Sequence, residues 1–243
     1  MHWINEQSSI GIACFVKTPG LSPIKTRLAS SIGNKNALKV YELMLAGLRG
    51  TFESLLKLDP NATAYWAVAE EELDNSYWSD FPCLKQDPGD LGDRLHSIYS
   101  QILERHDGAI LIGADCPLLT SHKLYSAGQK LRSQQAFVLG PTLDGGFYLF
   151  GGARSLEKEV WKRPPYSAAT TKCELQRELS KIQTVVELEE LSDVDEYEDL
   201  LELLKAGKER QENVFELLNF VRSLITQHLN GGIDHLEPSD QFM

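Results

Sequence analysis

Apolar residues along the 243-residue chain fall into two alternating patterns. Residues 10–16 (Ile-Gly-Ile-Ala-Cys-Phe-Val), 62–69 and 109–112 are short unbroken runs, which read as strands covered on both faces. Residues 34–57 place Ala37, Val40, Tyr41, Met44, Leu45, Leu48, Phe52 and Leu55 at spacings of three and four, the stripe of a helix lying on a sheet. Asp59-Pro60-Asn61 ends that helix, and the acidic stretch 70–80 reads as a solvated connection. Further strands are expected at 82–86, 136–140, 147–150 and 185–186. Helices are expected at 94–105, 121–132, within 166–179, and from the acids at 193–195 through 204. A last amphipathic helix over 208–229 carries Val214, Leu217, Leu218, Val221 and Ile225, stops at Gly231-Gly232 and leaves a frayed end. Strand and helix alternate, so the expected fold is α/β, with parallel strands joined by crossover helices in one domain spanning 1–243.

Composition narrows the partners. With 42% hydrophobic residues the chain can bury a large core. Its 24 basic and 35 acidic residues give a formal charge of -11, which repels nucleic acids and anionic membranes. A small phosphorylated ligand stays possible, because a few cations can reverse the potential inside one cleft. Cys14, Cys83, Cys116 and Cys173 form no C-x-x-C pair, which fits reduced thiols rather than zinc or a disulfide frame. Residues 1–9 lack the pattern of a secretory leader and no run is long enough to span a bilayer, so a cytoplasmic protein is expected.

Three places carry candidate chemistry. The run at 109–112 stops at Gly113 and presents Asp115 before Pro117, delivering a carboxylate to the rim where open α/β sheets bind ligands; a turn residue is the plainer alternative. After the first strand, 17–28 (Lys-Thr-Pro-Gly-Leu-Ser-Pro-Ile-Lys-Thr-Arg-Leu) sets Lys17, Lys25 and Arg27 in one loop that could wrap phosphate oxygens. Gly11 followed by Lys17-Thr18 mimics a P-loop, but 12–16 is an apolar strand with Val16 where the second glycine belongs. In the third place Asp144-Gly145-Gly146 precedes an aromatic strand closed by Gly151-Gly152, and such glycines let a backbone approach a ligand. Asp90 and Asp93 could cap the helix after them or leave its N-terminus to an anion. Asp193 and Asp195 could likewise serve only as helix caps.

In this order the segments resemble the DUF2064 family, a GT-A-type group similar to nucleotide-diphospho-sugar transferases. The resemblance runs over about 10–204, through Lys-Thr-Arg-Leu at 25–28, Gln86 with Gly-Asp-Leu-Gly-Asp-Arg at 89–94, Asp-Cys-Pro at 115–117, Leu-Gly-Pro with Asp-Gly-Gly between 139 and 146, and Asp-Val-Asp at 193–195. It implies a three-layer α/β/α fold with a mostly parallel, mixed sheet. It further implies a nucleotide-binding half at about 10–120, an acceptor and metal half at about 121–204, and a helical extension over 205–243. Carried onto this chain, Lys17, Pro19, Lys25, Thr26 and Arg27 meet the phosphates. Gln86, Gly89 and Asp90 face the base, Gly145 and Gly146 line the nucleotide, and Asp115 with Asp193 or Asp195 holds Mg²⁺ or Mn²⁺. Ser22 stands where the family usually has glycine, and Ala114 and Glu196 where it has threonine.

Physics adds a reason for a cation: two carboxylates about 4 Å apart repel by roughly 4 kcal/mol at an effective dielectric near 20. The leading expectation is a metal-dependent transferase that moves a group, a glycosyl unit first of all, from a nucleotide-activated donor to a small acceptor. Lys25 and Arg27 neutralise the leaving diphosphate and Asp144 serves as base. Two alternatives stand beside it. One is a nucleotidyltransferase resembling 2-phospholactate guanylyltransferases, which would use a nucleoside triphosphate and release pyrophosphate; the other is a non-catalytic nucleotide-binding protein.

Overall fold

The computed structural model describes residues 4–71, 76–206 and 214–231, with side chains as far as residue 226. Seven strands form one sheet: β1 (Ile10–Val16), β2 (Ala62–Val68), β3 (Cys83–Lys85), β4 (Gly108–Gly113), β5 (Phe137–Pro141), β6 (Phe147–Gly152) and β7 (Val185–Glu187), in the order β3-β2-β1-β4-β6-β5-β7. Antiparallel pairing is confined to β6, against β4 and β5; the other pairs are parallel.

Period-two alternation sends the central strands' side chains to both faces, and each face is covered by helices. Ile10, Ile12, Cys14 and Val16 of β1, with Ile110 and Ile112 of β4, enter one core. That core is closed by α1 (Thr26–Ile32), α2 (Asn34–Leu58), α4 (Ser121–Gln134), α7 (Tyr197–Ala206) and α8 (Phe215–Gly231). Ala13, Ala109 and Leu111 enter the other, closed by α3 (Leu91–Leu103), α5 (Lys158–Lys162) and α6 (Thr171–Ser180). The expected three-layer, mostly parallel mixed architecture is therefore the observed one.

Several local expectations need correction. Stretch 70–80 is not simply solvated: Trp78 is fully buried, 5.2 Å from Trp66, and its indole N–H donates to Thr18 Oγ1. The basic loop ends earlier than expected, because Thr26 opens α1. Helix α3 starts at Leu91 rather than Arg94, since Asp90 and Asp93 make a reciprocal capping box. The short helix α5 was not expected. Helix α7 begins at Tyr197, and the carboxylate that accepts the N–H groups of Asp195 and Glu196 is Asp199, not Asp193 or Asp195. Of the last expected helix, residues 208–213 and the terminal segment from Gly232 lie outside the described residues; within them Val214, Leu217, Leu218 and Val221 are buried as the stripe requires.

No described helix is long and apolar enough to cross a membrane. Among the described residues one ion pair is wholly internal: Arg132 of α4 donates from Nη1 to Asp59 Oδ2 at 2.6 Å and from Nε to Ser8 O, with both side chains under a tenth exposed. Removing one partner strands the other charge, so Asp59→Ala should cost about 3–5 kcal/mol, read as a lower urea midpoint at unchanged slope.

Candidate functional site

The parallel strands β1, β2 and β4 end in register, Val16 opposite Val68 and Phe15 opposite Gly113. The chain leaves β1 toward β2 on one side and takes up β4 on the other, so a crevice opens between the β1 and β4 ends, the switch point of a doubly wound sheet. The loop 17–25, the segment 114–120 and the turn 142–146 emerge there, joined by 86–90 and 188–196.

Main-chain and charge contacts tie these loops together. Val194 N–H donates to Asp115 O at 2.9 Å. Lys25 Nζ donates to Val194 O at 2.6 Å and lies 2.5 Å from Asp115 Oδ1 and 3.3 Å from Asp195 Oδ1. The lysine side chain is 4% exposed and the two carboxylates are 47% and 43% exposed. Burial pulls the Lys25 ammonium toward deprotonation, but Asp115 and Asp195 outweigh it and hold its pKa above the ordinary lysine value. Its backbone is left-handed, φ 49°, a conformation costly for a non-glycine residue. Three contacts on one buried nitrogen, ahead of α1, hold it there.

The loop before Lys25 is pinned from the opposite side. Tyr41 of α2 accepts from Lys17 N–H and donates to Lys17 O, both at 3.0 Å. Glu70 accepts from Thr18 N–H at 2.8 Å and from the Ser22 hydroxyl at 2.5 Å. Ser22 has no left-handed φ, so serine fits where the family has glycine, and its hydroxyl anchors the loop. Burial tends to raise the Glu70 pKa, but the Ser22 and Thr18 donors prevail and hold it below the ordinary glutamate range.

Two contiguous compartments share one wall. The first, about 430 Å³, is bounded by Lys17, Lys25, Gln86, Gly89 and Arg94 as well as Asp195. The second, about 340 Å³, is bounded by Asp144, Asp193, Gly146, Phe147, Tyr148 and Tyr166. Phe15, Leu91, Ala114 and Asp115 border both.

Of the expected site residues, Lys17, Lys25, Gln86, Gly89, Asp115 and Asp195 meet in the first compartment and Asp115, Asp144, Gly146 and Asp193 in the second. Arg27 sits outside on the rim, 65% exposed, 3.3 Å from Asp195 and 3.9 Å from Glu196. Pro19 and Thr26 border neither compartment, and Asp90 caps α3. Gln86 spends its amide on Ala67 O at 2.7 Å. At Gly145, φ 88°, a Cβ would fall 2.1 Å from Ala169 O. Gly151 and Gly152 are equally filled, by Val138 and by Tyr99 and Phe137. The close approach these glycines permit is to the chain itself. Arg94, Tyr41 and Glu70 were missed; Arg94 had a signal, as the last residue of the Gly-Asp-Leu-Gly-Asp-Arg block.

The acids differ in what balances them. Asp195 is answered by Lys25 and Arg27, whereas Asp193 and Asp144 have no ion-pair partner among the described residues. Asp144 Oδ1 accepts only from Thr142 Oγ1 and Gly146 N–H, at 2.6 and 2.9 Å. Burial, then Asp144, Asp115 and Asp195, push the Asp193 carboxyl up to about 6. Asp115 shares Lys25 with Asp195 at the shorter distance, so of the acids at this edge Asp193 and Asp144 are the ones without a cation among the described residues. No preformed cluster of three metal-binding side chains exists among the described residues.

Comparisons with known proteins agree with this architecture. The DUF2064 family, described as an uncharacterized protein conserved in bacteria, matches residues 54–168 and bears out the resemblance over that span. No curated protein matches. A solved structure from Desulfovibrio desulfuricans, provisionally named a nucleotide-diphospho-sugar transferase, is 24% identical with a TM-score of 0.78, covering 93% of this chain and 99% of that one. A cytidylyltransferase from Leptospira borgpetersenii is 14% identical with a TM-score of 0.53, over 96% and 100% of the two chains. CMP:2-keto-3-deoxy-manno-octonic acid synthetase complexed with CTP is 13% identical with a TM-score of 0.52, over 82% and 98%. These likenesses establish the fold.

Two expectations follow from the pinned loop. Lys25→Met removes the shared cation from two half-exposed carboxylates and should cost about 1–2 kcal/mol, measured by urea unfolding. Glu70→Ala frees the Thr18 amide, whose hydrogen exchange should quicken roughly fivefold for about 1 kcal/mol lost. Because the folded Glu70 pKa is lowered, its contribution is present above the ordinary glutamate pKa and is lost as pH falls through the folded value. The unmodified protein in acid should therefore approach the variant.

Proposed function

We propose that this chain is a transferase acting on a nucleotide-activated donor, a nucleotide sugar first of all, and passing the activated group to a small acceptor. The observation that carries the reading is the divided cleft: a cation-bearing compartment and an acid-bearing compartment at the sheet's switch point, with Asp115 on the wall between them. The first receives the nucleotide, whose diphosphate meets Lys17 and Arg94, with the base toward Gln86 and Gly89. The second receives the transferred group and its acceptor, which divides the chain near residue 120 into a nucleotide half and an acceptor half.

Lys25 takes a different part from the one its motif implies. Buried and shared by two carboxylates, it orders Asp115 and Asp195 and lends positive charge to the phosphate side from behind. Arg27, on the rim, is placed to meet an incoming phosphate rather than the reacting centre. Asp115 and Asp193 are the residues that would hold Mg²⁺ or Mn²⁺, which would neutralise charge on the leaving diphosphate. Asp144, steadied by Thr142 and Gly146, is the acid positioned to receive the acceptor's proton.

The likeness of fold to a cytidylyltransferase and to a CTP-bound synthetase favours one alternative, nucleotidyl transfer with release of pyrophosphate. Products separate the two: nucleoside diphosphate for glycosyl transfer, pyrophosphate for nucleotidyl transfer. In a thermal-shift screen of nucleoside triphosphates and nucleotide sugars, each with and without Mn²⁺, a ligand at a hundred times its Kd should stabilise by about 2.7 kcal/mol. Asp115→Asn should stay folded, because Lys25 keeps Asp195 and Val194, but unfold somewhat below the parent temperature and lose the metal-dependent shift and turnover. Retention of full activity in that variant would overturn the proposal.

A further inference from the structure

The second compartment has a consistent polarity beyond its three carboxylates. Its two tyrosine hydroxyls are already committed as donors, Tyr148 to Glu189 O at 3.0 Å and Tyr166 to Trp161 O at 2.6 Å. Thr171 Oγ1 is likewise turned onto Ala168 O and Pro165 O. Phe147 and Tyr166, both half-buried, thus offer ring carbon while Tyr148 is buried behind the wall, and among the described residues Ser167 is the remaining side-chain hydroxyl there. Among the described residues no lysine, arginine or histidine borders this compartment. The first compartment contrasts sharply, with Lys17, Lys25 and Arg94 on its wall. Asp144 and Asp193 receive no cation from the described chain, and Lys25 is held on the far side by Asp115, Asp195 and Val194.

A ligand in such a space meets hydrogen-bond acceptors and flat apolar surface. It must bring its own donors, and an anionic group would add repulsion in a site with nothing to pair it. A divalent ion arriving with a nucleotide would bring two positive charges and two or more negative phosphates, so it leaves the acid side unfavourable to a further anion. Resting on the transferase reading of this cleft, we infer that the second compartment selects an uncharged polyhydroxyl or amino-bearing group set against the Phe147 and Tyr166 rings, and rejects phosphorylated and carboxylated acceptors.

The inference separates the two functional readings, because a nucleotidyl transfer to a phosphomonoester requires the compartment to admit a dianion. The test is ligand-observed NMR and calorimetry with D-glucose, D-glucosamine, D-glucuronate and D-glucose 6-phosphate at pH 7, with and without nucleoside diphosphate and Mg²⁺. Glucosamine should bind best and glucose next, with both anions at least about tenfold weaker than glucose. Asp144→Asn keeps the Oδ1 acceptor for Thr142 and Gly146, so its fold should survive. It should lose roughly three- to tenfold of the glucosamine preference and improve binding of glucose 6-phosphate. Asp193→Asn should likewise lower the glucosamine preference and improve binding of glucose 6-phosphate.

Glucose 6-phosphate or glucuronate binding as well as glucose would overturn the inference, as would no sugar binding at tens of millimolar in either state. If the nucleoside diphosphate fails to bind while the charge ranking holds, the transferase reading falls and the selectivity of this compartment stands.

Discussion

A single buried ammonium organises the functional edge of this protein. Lys25 comes from the loop after the first strand, Asp115 from the loop after the fourth, and Asp195, with Val194, lies 170 residues downstream of Lys25. A charge taken out of water is tolerated only when its partners are close and its hydrogens are spent, and both conditions are met at one nitrogen. The strained backbone at that position is the local cost of the convergence. Without it, the Asp115 and Asp195 carboxylates would share this edge with no buried cation between them, and only the Val194–Asp115 main-chain hydrogen bond would join the two segments.

The sheet sets the stage for that contact. Strands β1 and β4 run side by side from Ile10 opposite Gly108 to Phe15 opposite Gly113, so the loops that follow them begin at the same height. The antiparallel β6 brings its own N-terminal end, and with it the turn holding Asp144, to the same edge. The cleft is consequently lined by pieces of chain far apart in sequence, and its division into a basic and an acidic side follows from which loop supplies which wall.

Much of this was legible in residue order. Unbroken apolar runs at 10–16 and 109–112 identified the doubly covered central strands, and the three-four spacing from Ala37 to Leu55 identified the long helix, because burial on a sheet leaves those periods in the sequence. The motifs also named most of the acids and lysines that meet at the crevice. What stayed hidden depended on partners distant in the chain. Trp78 sits in an acidic stretch, and nothing local says that its ring completes a core with Trp66 or that its N–H meets Thr18. Glu70 resembles any surface glutamate until Thr18 and Ser22 are seen around it. Lys25 read as a phosphate ligand, for its motif carries no sign of the carboxylates that claim it. The glycines misled for a related reason: spacing records that something comes close, not whether it is ligand or backbone, and at Gly145 it is Ala169.

The hydrogen bond from Val194 to Asp115 runs between peptide groups and owes nothing to either side chain. The seam between the two acidic segments therefore has two strands of different kinds: a main-chain link that any residue at 115 would keep, and a charge link through Lys25 that only a carboxylate there can supply. Exchange of the side chain would leave the first in place and weaken the second, so the spacing of the walls is less sensitive to sequence than the charge between them.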